Sequence, residues 1–464
     1  MDITKASTRQ QCDDIAAWVS RAVQDPQQSA QMMTQLARET TAAHATYITL
    51  IEPPAHPTAG PLCGVPFAVK DNIVVAGYPT TGGSEALSQL LVEPTASAVR
   101  ALEARGAVVV GKANMHEFAL GVTSENGAFG AVRNPRHCER SAGGSSGGTA
   151  AAVASGSVPF ALGTDTGGSM TIPAAFCGVV GMRPTQCRYP NDGLVAISPT
   201  RDTIGVMANH VADVAMIDSL IASDGERGVP VTRLGVPWYG WWDSASREVR
   251  RTAEAALARL EACGFVLVDV DIGLLQERAL ACRHDIVGYE APRSLQLFLT
   301  TAGAAAQSVE DLLPRIRSAD VRAVFEQFIS TPVSHARYKA AQHLRMILDG
   351  AFRAALVQVG VGTLVYPSTP VTAVELGAGH VLLDGGSAPL FETITRNTEL
   401  ASMLGHPMVS IPVPVADDVL PVGITVEGLP RRDRDLLATA GRVEAALREA
   451  VGTSDSTGHQ ETAE

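Results

Sequence analysis

Basic residues are scarce in this chain: 36 lysines and arginines stand against 48 aspartates and glutamates, giving a formal net charge of −12. Non-specific binding to nucleic acid or to an anionic membrane requires a basic surface, so we expect neither among the partners. Lysine is the rarer basic residue, found only at Lys5, Lys70, Lys112 and Lys339. Lys70 stands out among them because it ends an apolar stretch.

No cysteine pair has the C-x-x-C spacing of a redox or zinc motif, and the cysteines are odd in number. They are Cys12, Cys63, Cys138, Cys177, Cys187, Cys263 and Cys282. A disulfide framework or zinc site is therefore not expected. Residues 1–20 lack the apolar core of a signal peptide, and no apolar run is long enough to cross a bilayer. We expect a cytoplasmic protein that needs no metal or other cofactor.

Hydrophobic residues make up 46% of the chain and charged residues 18%, which favours a large buried core over disorder. Residues 1–60 are predicted as an N-terminal helical segment whose two helices are divided near Pro26. Residues 61–450 are predicted as one domain in which strands and helices alternate, and this alternation indicates an α/β fold. Residues 451–464 are polar and are predicted to be disordered.

Hydrophobic periodicity predicts the elements of this domain. Amphipathic helical patterns dominate residues 227–364, which we interpret as a helical elaboration that shapes the substrate site. The predicted strands lie at 65–69, 107–110, 158–162, 365–370 and 408–415, the helices at 95–105, 149–155, 247–263, 334–357 and 435–447, and two glycine-rich loops at 143–148 and 163–169.

Two serines in glycine-rich loops and one strand-end lysine carry the chemistry that the residues themselves suggest. Glycine allows positive φ and close backbone approach, so the loop that ends at Ser169 can present backbone N–H groups to a developing anion. A lysine in apolar surroundings has a lowered pKa and can act as a neutral base. Taken singly, each feature is more often structural, because glycine–serine stretches are usually linkers and strand-end lysines are usually solvated.

Competing motifs are weaker. Residues 143–147 satisfy G-x-S-x-G, but the nucleophile elbow that this motif describes should directly follow a strand, and residues 133–140 are polar. No lysine has a serine three residues before it, so the S-x-x-K motif is absent. His116 and Glu117 are not followed by the second histidine of H-E-x-x-H, and we interpret His116 as structural.

Three motifs resemble those of the amidase signature family, and their separations along the chain match the family spacing. The resemblance covers about residues 62–447 and implies a mixed central β-sheet with helices on both faces. The motifs are Val69-Lys70-Asp71-Asn72, Gly143-Gly144-Ser145-Ser146-Gly147-Gly148 and Gly163-Thr164-Asp165-Thr166-Gly167-Gly168-Ser169.

The resemblance implies the following roles. Ser169 would be the nucleophile that forms an acyl-enzyme. Ser145, preceded by a cis peptide bond, would relay a proton from Ser169 to Lys70, which would be the base. The oxyanion would be bound by the N–H groups of Thr166, Gly167, Gly168 and Ser169.

Four further stretches, residues 62–66, 114–117, 130–135 and 198–203, resemble the family members that hydrolyse arylacetamides. They imply a small primary amide substrate such as indole-3-acetamide, with ammonia as the leaving group. Two alternatives remain open, namely the glutaminase subunit of a tRNA-dependent amidotransferase and a non-catalytic family member. A homodimer is compatible with the resemblance, because homodimers are frequent in the family.

One departure from the family pattern concerns the residue two positions after the nucleophile. Thr171 stands where the family usually has an arginine that pairs with the aspartate of the same loop. Asp165 therefore needs another partner, since an unpaired buried carboxylate is costly. We expect loop N–H groups and threonine hydroxyls to satisfy it, together with Arg183.

Overall fold

The computed structural model describes residues 14–54, 57–225, 227–304 and 307–449. The predicted tail at 451–464 lies outside these residues. The strands are β1 (Tyr47–Leu50), β2 (Pro66–Lys70), β3 (Val108–Ala113), β4 (Glu125–Asn126), β5 (Gly130–Ala131), β6 (Phe160–Asp165), β7 (Val180–Arg183), β8 (Thr203–Ala208), β9 (Arg233–Val236), β10 (Val266–Asp269), β11 (Thr363–Pro367), β12 (His380–Leu383), β13 (Gly386–Pro389), β14 (Met408–Val413) and β15 (Val422–Gly428).

The α-helices of the described ranges vary widely in length. They are α1 (Ile15–Gln24), α2 (Pro26–His44), α3 (Ser97–Glu103), α4 (Gly147–Ala154), α5 (Thr171–Cys177), α6 (Val211–Ala222), α7 (Arg247–Ala262), α8 (Gly273–Thr301), α9 (Val309–Leu312), α10 (Ala319–Ser330), α11 (His335–Val359), α12 (Leu390–Leu404) and α13 (Asp433–Glu449). None of these helices is both long and apolar enough to span a membrane.

Within the described ranges, eleven strands form one mixed sheet in the order β1-β3-β2-β6-β8-β7-β14-β15-β11-β9-β10. Every residue of β2, β3, β6 and β8 is buried, which requires cover on both faces of this part of the sheet. The α/β fold expected from the sequence is therefore confirmed. Two small hairpins, β4–β5 and β12–β13, lie outside the main sheet.

The division of the N-terminal helices follows from two aspartates that cap them. The N–H of Ala17 donates to Asp14 Oδ1 at 2.7 Å, and the N–H of Gln28 donates to Asp25 Oδ1 at 2.9 Å. Pro26 is the first residue of α2, a position where its missing N–H costs no helical hydrogen bond. The predicted break near Pro26 is thus confirmed.

Strands β2 and β6 are neighbours and run parallel, with Phe67 opposite Phe160 and Val69 opposite Leu162. The carboxyl ends of parallel strands meet at one edge of a sheet. Lys70, the last residue of β2, and Asp165, the last residue of β6, consequently lie at the same edge of the sheet, and this edge carries the candidate site.

Several boundaries differ from the sequence-based expectation. Gly163–Asp165 were predicted as part of a glycine-rich loop, but they extend β6 because they pair with β8. Residues 227–364 are not wholly helical, since they also supply β9 and β10 and begin β11, which together complete one side of the main sheet. Segment 1–60 likewise contains β1, which pairs antiparallel with β3.

Candidate active site

Lys70, Ser145 and Ser169 form a continuous chain of polar contacts. Lys70 Nζ lies 2.8 Å from Ser145 Oγ, and Ser145 Oγ lies 2.8 Å from Ser169 Oγ. Lys70 and Ser145 are fully buried, whereas Ser169 keeps 9% exposure. Of these three side chains, only that of Ser169 is accessible to solvent. The peptide bond between Gly144 and Ser145 is cis.

The surroundings of Lys70 favour its neutral form. Its Nζ donates to Thr164 Oγ1 at 2.9 Å, and Asn72 Nδ2 donates to the same hydroxyl at 3.0 Å. Burial lowers the pKa of Lys70 to about 7, although the negative charges of Asp165 and Asp202 act in the opposite direction. Near neutral pH a substantial fraction of Lys70 is therefore the uncharged amine, which can accept a proton.

Asp165 organises the loop that carries Ser169. Its Oδ1 accepts the N–H of Gly168 at 3.0 Å, and its Oδ2 accepts the N–H of Met170 at 2.8 Å. These two bonds flank Ser169 on both sides. The carboxylate therefore sets the backbone conformation at the serine.

Arg183 supplies Asp165 with the positive charge that a threonine at position 171 cannot provide. Arg183 Nη1 lies 2.7 Å from Asp165 Oδ1, and neither side chain is exposed. The expected participation of loop N–H groups and of Arg183 is confirmed. The hydroxyl that reaches the carboxylate is that of Ser402, which donates to Asp165 Oδ1 at 3.2 Å, whereas no threonine hydroxyl in the described ranges does so. Ser402 lies on α12, far away in sequence.

The backbone N–H groups of the nucleophile loop divide into two sets. Those of Thr166, Gly167 and Ser169 have no acceptor among the described residues. That of Gly168 donates to Asp165 and is occupied. Three of the four predicted oxyanion donors are thus available at the loop. Gly168 also has a φ of +114°, and an added Cβ would lie 2.3 Å from a side-chain oxygen of α12, so glycine is required at this position.

Asp202 holds Thr166 by its side chain. Thr166 Oγ1 donates to Asp202 Oδ1 at 2.6 Å, while Asp202 Oδ2 accepts the N–H groups of Ile197 and Ser198, both at 2.9 Å. Burial raises the pKa of Asp202 to about 6, although these hydrogen bonds favour its charged form. The Asp202 carboxylate therefore fixes the side chain of Thr166 and, through it, the backbone of this part of the loop.

Helix α12 covers the other side of the loop. Thr398 Oγ1 donates to the carbonyl oxygen of Gly167 at 2.7 Å. Arg201 Nη2 lies 2.7 Å from Glu399 Oε1, and this pair is buried. A Cβ added to Gly167 would lie 3.6 Å from both Arg201 Nη2 and Glu399 Oε2. Arg201 and Glu399 therefore adjoin the loop as a neutralised ion pair, and neither of them presents a free charge to it.

A separate apolar cluster lies against both glycine-rich loops. Ile172 follows Ser169 by less than one helical turn, and its Cδ1 would be 2.9 Å from a Cβ on Gly168. The backbone of Val122 would be 2.8 Å from a Cβ on Gly144. The buried members of the cluster are Val122, Ile172, Phe176, Val371, Ala373, Val374, Val381 and Ile394.

The competing motifs are not arranged for catalysis. The residues directly before Gly143 form only isolated bridges, between Arg133 and Ser141 and between Arg140 and Glu375, so the strand that a nucleophile elbow requires is missing. His116 Nε2 lies 2.9 Å from Asp320 Oδ2 and ties α10 to the segment after β3. In the part of the chain that the structure describes, no group of three or more histidine, cysteine, aspartate or glutamate side chains is placed to hold a metal ion.

Sequence reasoning located the serines and the lysine but missed the residues that support them. Thr164 and Asn72 stood inside the quoted motifs, and their polar side chains at a buried strand end were the available signal. Asp202 lay in one of the four quoted stretches. Thr398 and Ser402 had no local signal, because only the packing of α12 brings them to the loop.

Comparison with known proteins gives consistent matches over most of the chain. A family model described as Amidase matches residues 16–437. The chain is 37% identical over 398 residues to indoleacetamide hydrolase of Rhizobium radiobacter, covering 84% of each protein. It is 37% identical to mandelamide hydrolase of Pseudomonas putida over 83% of this chain and 79% of that one. A solved structure described as an amidase superposes with a TM-score of 0.79 at 31% identity, covering 93% and 99% of the two chains.

Proposed function

Because this chain belongs to the amidase family, whose members hydrolyse amide C–N bonds, we propose that Ser169 is its nucleophile, Ser145 its proton relay and Lys70 its base. The observation that carries this proposal is the unbroken chain of 2.8 Å contacts from Ser169 through Ser145 to Lys70. It ends at an amine whose pKa is lowered to about 7. The chain can therefore take a proton from Ser169 near neutral pH.

The proposed reaction has two halves. Ser169 Oγ attacks the amide carbonyl while its proton passes to Ser145 Oγ, which gives its own proton to the neutral amine of Lys70. The oxyanion is held by the free N–H groups of Thr166, Gly167 and Ser169. Lys70 then returns the proton through Ser145 to the leaving nitrogen, which departs as ammonia from a primary amide. Water then attacks the acyl-enzyme. Its proton passes through Ser145 to Lys70, and Lys70 returns a proton through Ser145 to Ser169 as the acid leaves.

We assign three oxyanion donors rather than the four that the family resemblance implies. The N–H of Gly168 is engaged with Asp165 Oδ1 at 3.0 Å, and moving it would loosen the loop. Removing one such donor typically costs about 10²–10³ in kcat. The support given to the loop by Asp165, Asp202 and α12 is consistent with the need to hold these donors in place before substrate arrives.

The substrate that this site favours is a small primary amide with an apolar or aromatic acyl group, such as indole-3-acetamide. Members of the apolar cluster adjoin both catalytic loops, Ile172 by its side chain at Gly168 and Val122 by its backbone at Gly144. Arg183 and Arg201, which adjoin the nucleophile loop, are both paired with buried carboxylates. Neither is free to bind the carboxylate of glutamine, so an arylacetamide suits these surroundings better than the glutaminase alternative. The named activities of the indoleacetamide and mandelamide hydrolases to which the chain is similar agree with this choice.

An active-site-directed fluorophosphonate separates a catalyst from a non-catalytic family member. The wild-type protein should react at one serine, identified by peptide mass spectrometry as Ser169, and Ser169→Ala should not react. Ser157→Ala is the matched control, since Ser157 is also buried but its hydroxyl contacts that of Tyr47, away from the site. Labelling at another serine, or none, would overturn the assignment of the nucleophile.

A panel of amides tests the substrate class. Ammonia release should be faster from indole-3-acetamide, mandelamide and phenylacetamide than from glutamine, and EDTA should leave these rates unchanged. A preference for glutamine, or activity only with a partner subunit, would favour the glutaminase reading. Loss of activity in EDTA that zinc or manganese restores would contradict a metal-free mechanism.

A further inference from the structure

Glu290 is a buried carboxylate that the proposed chemistry does not use. It is 6% exposed and is the one charged residue among the buried positions of α8. A charged group is stable in a protein interior only where hydrogen bonds or an opposite charge compensate for the loss of water. The groups that compensate Glu290 therefore show what its position serves.

The hydrogen-bond donors to Glu290 come from two parts of the chain. In the segment before β8, the hydroxyl of Ser198 donates to Glu290 Oε2 at 2.6 Å, and Thr200 Oγ1 donates to Oε1 at 2.9 Å. On α11, the hydroxyl of Tyr338 donates to Oε1 at 2.7 Å, and Gln342 Nε2 donates to the same oxygen at 3.3 Å. Hydrogen bonds to an ionised carboxylate are stronger than those between neutral groups. Glu290 thus connects the segment before β8 to the helices α8 and α11.

The connected segment, residues 198–202, is a tight turn. The N–H groups of Arg201 and Asp202 both donate to the carbonyl oxygen of Ser198 at 2.7 Å. The N–H of Ser198 donates to Asp202 Oδ2 at 2.9 Å. The hydroxyl that bonds Glu290 and the N–H that bonds Asp202 therefore belong to the same residue, so a displacement of Ser198 moves a donor of the Asp202 carboxylate.

Asp202 extends this connection to the nucleophile loop. Its Oδ1 accepts the hydroxyl of Thr166 at 2.6 Å, and Thr166 supplies one of the three proposed oxyanion N–H groups. The route from Glu290 to Thr166 thus consists of hydrogen bonds of 2.6, 2.9 and 2.6 Å. Building on the proposed function, we propose that Glu290 is a positioning residue, which holds residues 198–202 so that the N–H of Thr166 is in place before the oxyanion forms.

Other contacts restrain the turn without using Glu290. Arg345 Nη1 donates to the carbonyl oxygen of Thr200 at 2.8 Å. Arg183 Nη2 donates to the carbonyl oxygen of Arg201 at 2.7 Å. Replacing the carboxylate should therefore loosen the turn rather than unfold it, and the effect on the rate should be partial.

Steady-state kinetics of Glu290→Gln on a primary amide tests the assignment. The value of kcat, per site labelled by the fluorophosphonate, should fall roughly 3- to 10-fold, less than the 10²–10³ typical of losing a whole oxyanion donor. KM should change less, because the oxyanion develops only in the transition state. Ser198→Ala removes the hydroxyl that joins the turn to Glu290 and leaves the donors from α11 in place. It should lower kcat in the same range, and it decides the question if Glu290→Gln does not fold.

A double-mutant cycle separates positioning from a general loss of stability. In the Thr166→Val background, Glu290→Gln should lower kcat by less than about twofold, because the hydroxyl through which it acts is already gone. Glu427→Gln is the matched control. Glu427 is 2% exposed and accepts the hydroxyl of Tyr366 at 2.8 Å, but within the described ranges it bonds none of residues 198–202. Whatever its effect on kcat, the fold-change should be the same in both backgrounds.

Two results would overturn this role of Glu290. One is an unchanged kcat in Glu290→Gln or, if that variant does not fold, in Ser198→Ala; a lower Tm with unchanged kcat would make Glu290 a structural residue only. The other is an equal fold-loss with and without the Thr166 hydroxyl. Both results leave the proposed function intact. The proposed function fails on a different observation, a wild-type protein that neither releases ammonia from a primary amide nor is labelled at Ser169, and the role of Glu290 then fails with it.

Discussion

Arg183 Nη1 lies 2.7 Å from Asp165 Oδ1, with both side chains fully buried. Asp165 holds the N–H groups on either side of Ser169, so the ion pair connects the end of β7 to the nucleophile loop. The position of this cation explains how the loop keeps its geometry with threonine at position 171. A buried pair of this kind is costly to break, because the remaining charge is left without a partner.

Arg183→Met should lower the free energy of unfolding by about 3–5 kcal/mol, since it leaves the Asp165 carboxylate buried and unpaired. Urea unfolding near neutral pH measures this. Arg38→Met is the control: Arg38 pairs with Glu52 at 3.1 Å, but both side chains are largely exposed, and the expected loss is below about 1 kcal/mol. Equal losses in the two variants would show that the pair is not holding the loop.

Asp165→Asn should also reduce both stability and activity; a neutral result would make Asp165 a bystander.

Thr171→Arg should destabilise the protein rather than restore a family feature. Thr171 is fully buried and its hydroxyl donates to the carbonyl oxygen of Gly168 at 3.3 Å, while Asp165 already has Arg183 as its cation. The new side chain would add volume and a second buried charge, at a cost of roughly 2 kcal/mol or more. Thermal melting should show a lower Tm for Thr171→Arg than for the control Thr171→Val. An unchanged Tm would mean that space for an arginine persists beside the loop.

The rate constant kcat/KM should rise as the pH is raised through about 7 and level off above it. Burial lowers the pKa of Lys70 to about 7, and only the neutral amine, present above that pH, accepts the proton of Ser145. Lys70→Arg keeps the charge but cannot lose it, so it should be inactive at every pH. Lys112→Arg is the control, because Lys112 is also buried but pairs with Asp71 at 3.1 Å. It should leave the midpoint of the rise unchanged. A flat profile between pH 6 and 9 would contradict Lys70 as the base.

Thr166→Val should lower kcat by about 10- to 100-fold with a smaller change in KM. The variant removes the hydroxyl that donates to Asp202 at 2.6 Å, so the N–H of residue 166 is less firmly placed for an oxyanion that develops only in the transition state. Thr166→Ser keeps the hydroxyl and should recover most of the rate. Steady-state kinetics on a primary amide separates kcat from KM. Equal losses for valine and serine would show that keeping the hydroxyl does not preserve the rate, which would contradict this role of the hydrogen bond to Asp202.

Local patterns in the sequence were sufficient to predict the elements that present the site. Lys70 ends an apolar run, and such a run predicts a buried strand, so the lysine had to lie at a strand end in low-dielectric surroundings. Glycine at position 168 is required by a positive φ of +114°, a constraint that any chain with this loop meets in the same way. The prediction from the sequence pattern was wrong for Gly163–Asp165. Glycine and threonine are locally typical of a loop, but these residues form a strand because they pair with β8.

Residue types and their spacing by themselves determined the α/β class, the burial of Lys70 and the two loops that bear Ser145 and Ser169. Only the tertiary structure decided that the hydroxyl of Ser402, rather than that of a threonine, reaches Asp165, that Asp202 holds Thr166, and that Thr398 of α12 reaches the nucleophile loop. Periodicity records which face of a segment is buried, and it carries no information about which distant segment covers that face. Ser402 lies 237 positions from Asp165, and their hydrogen bond exists because the sheet brings α12 over the loop.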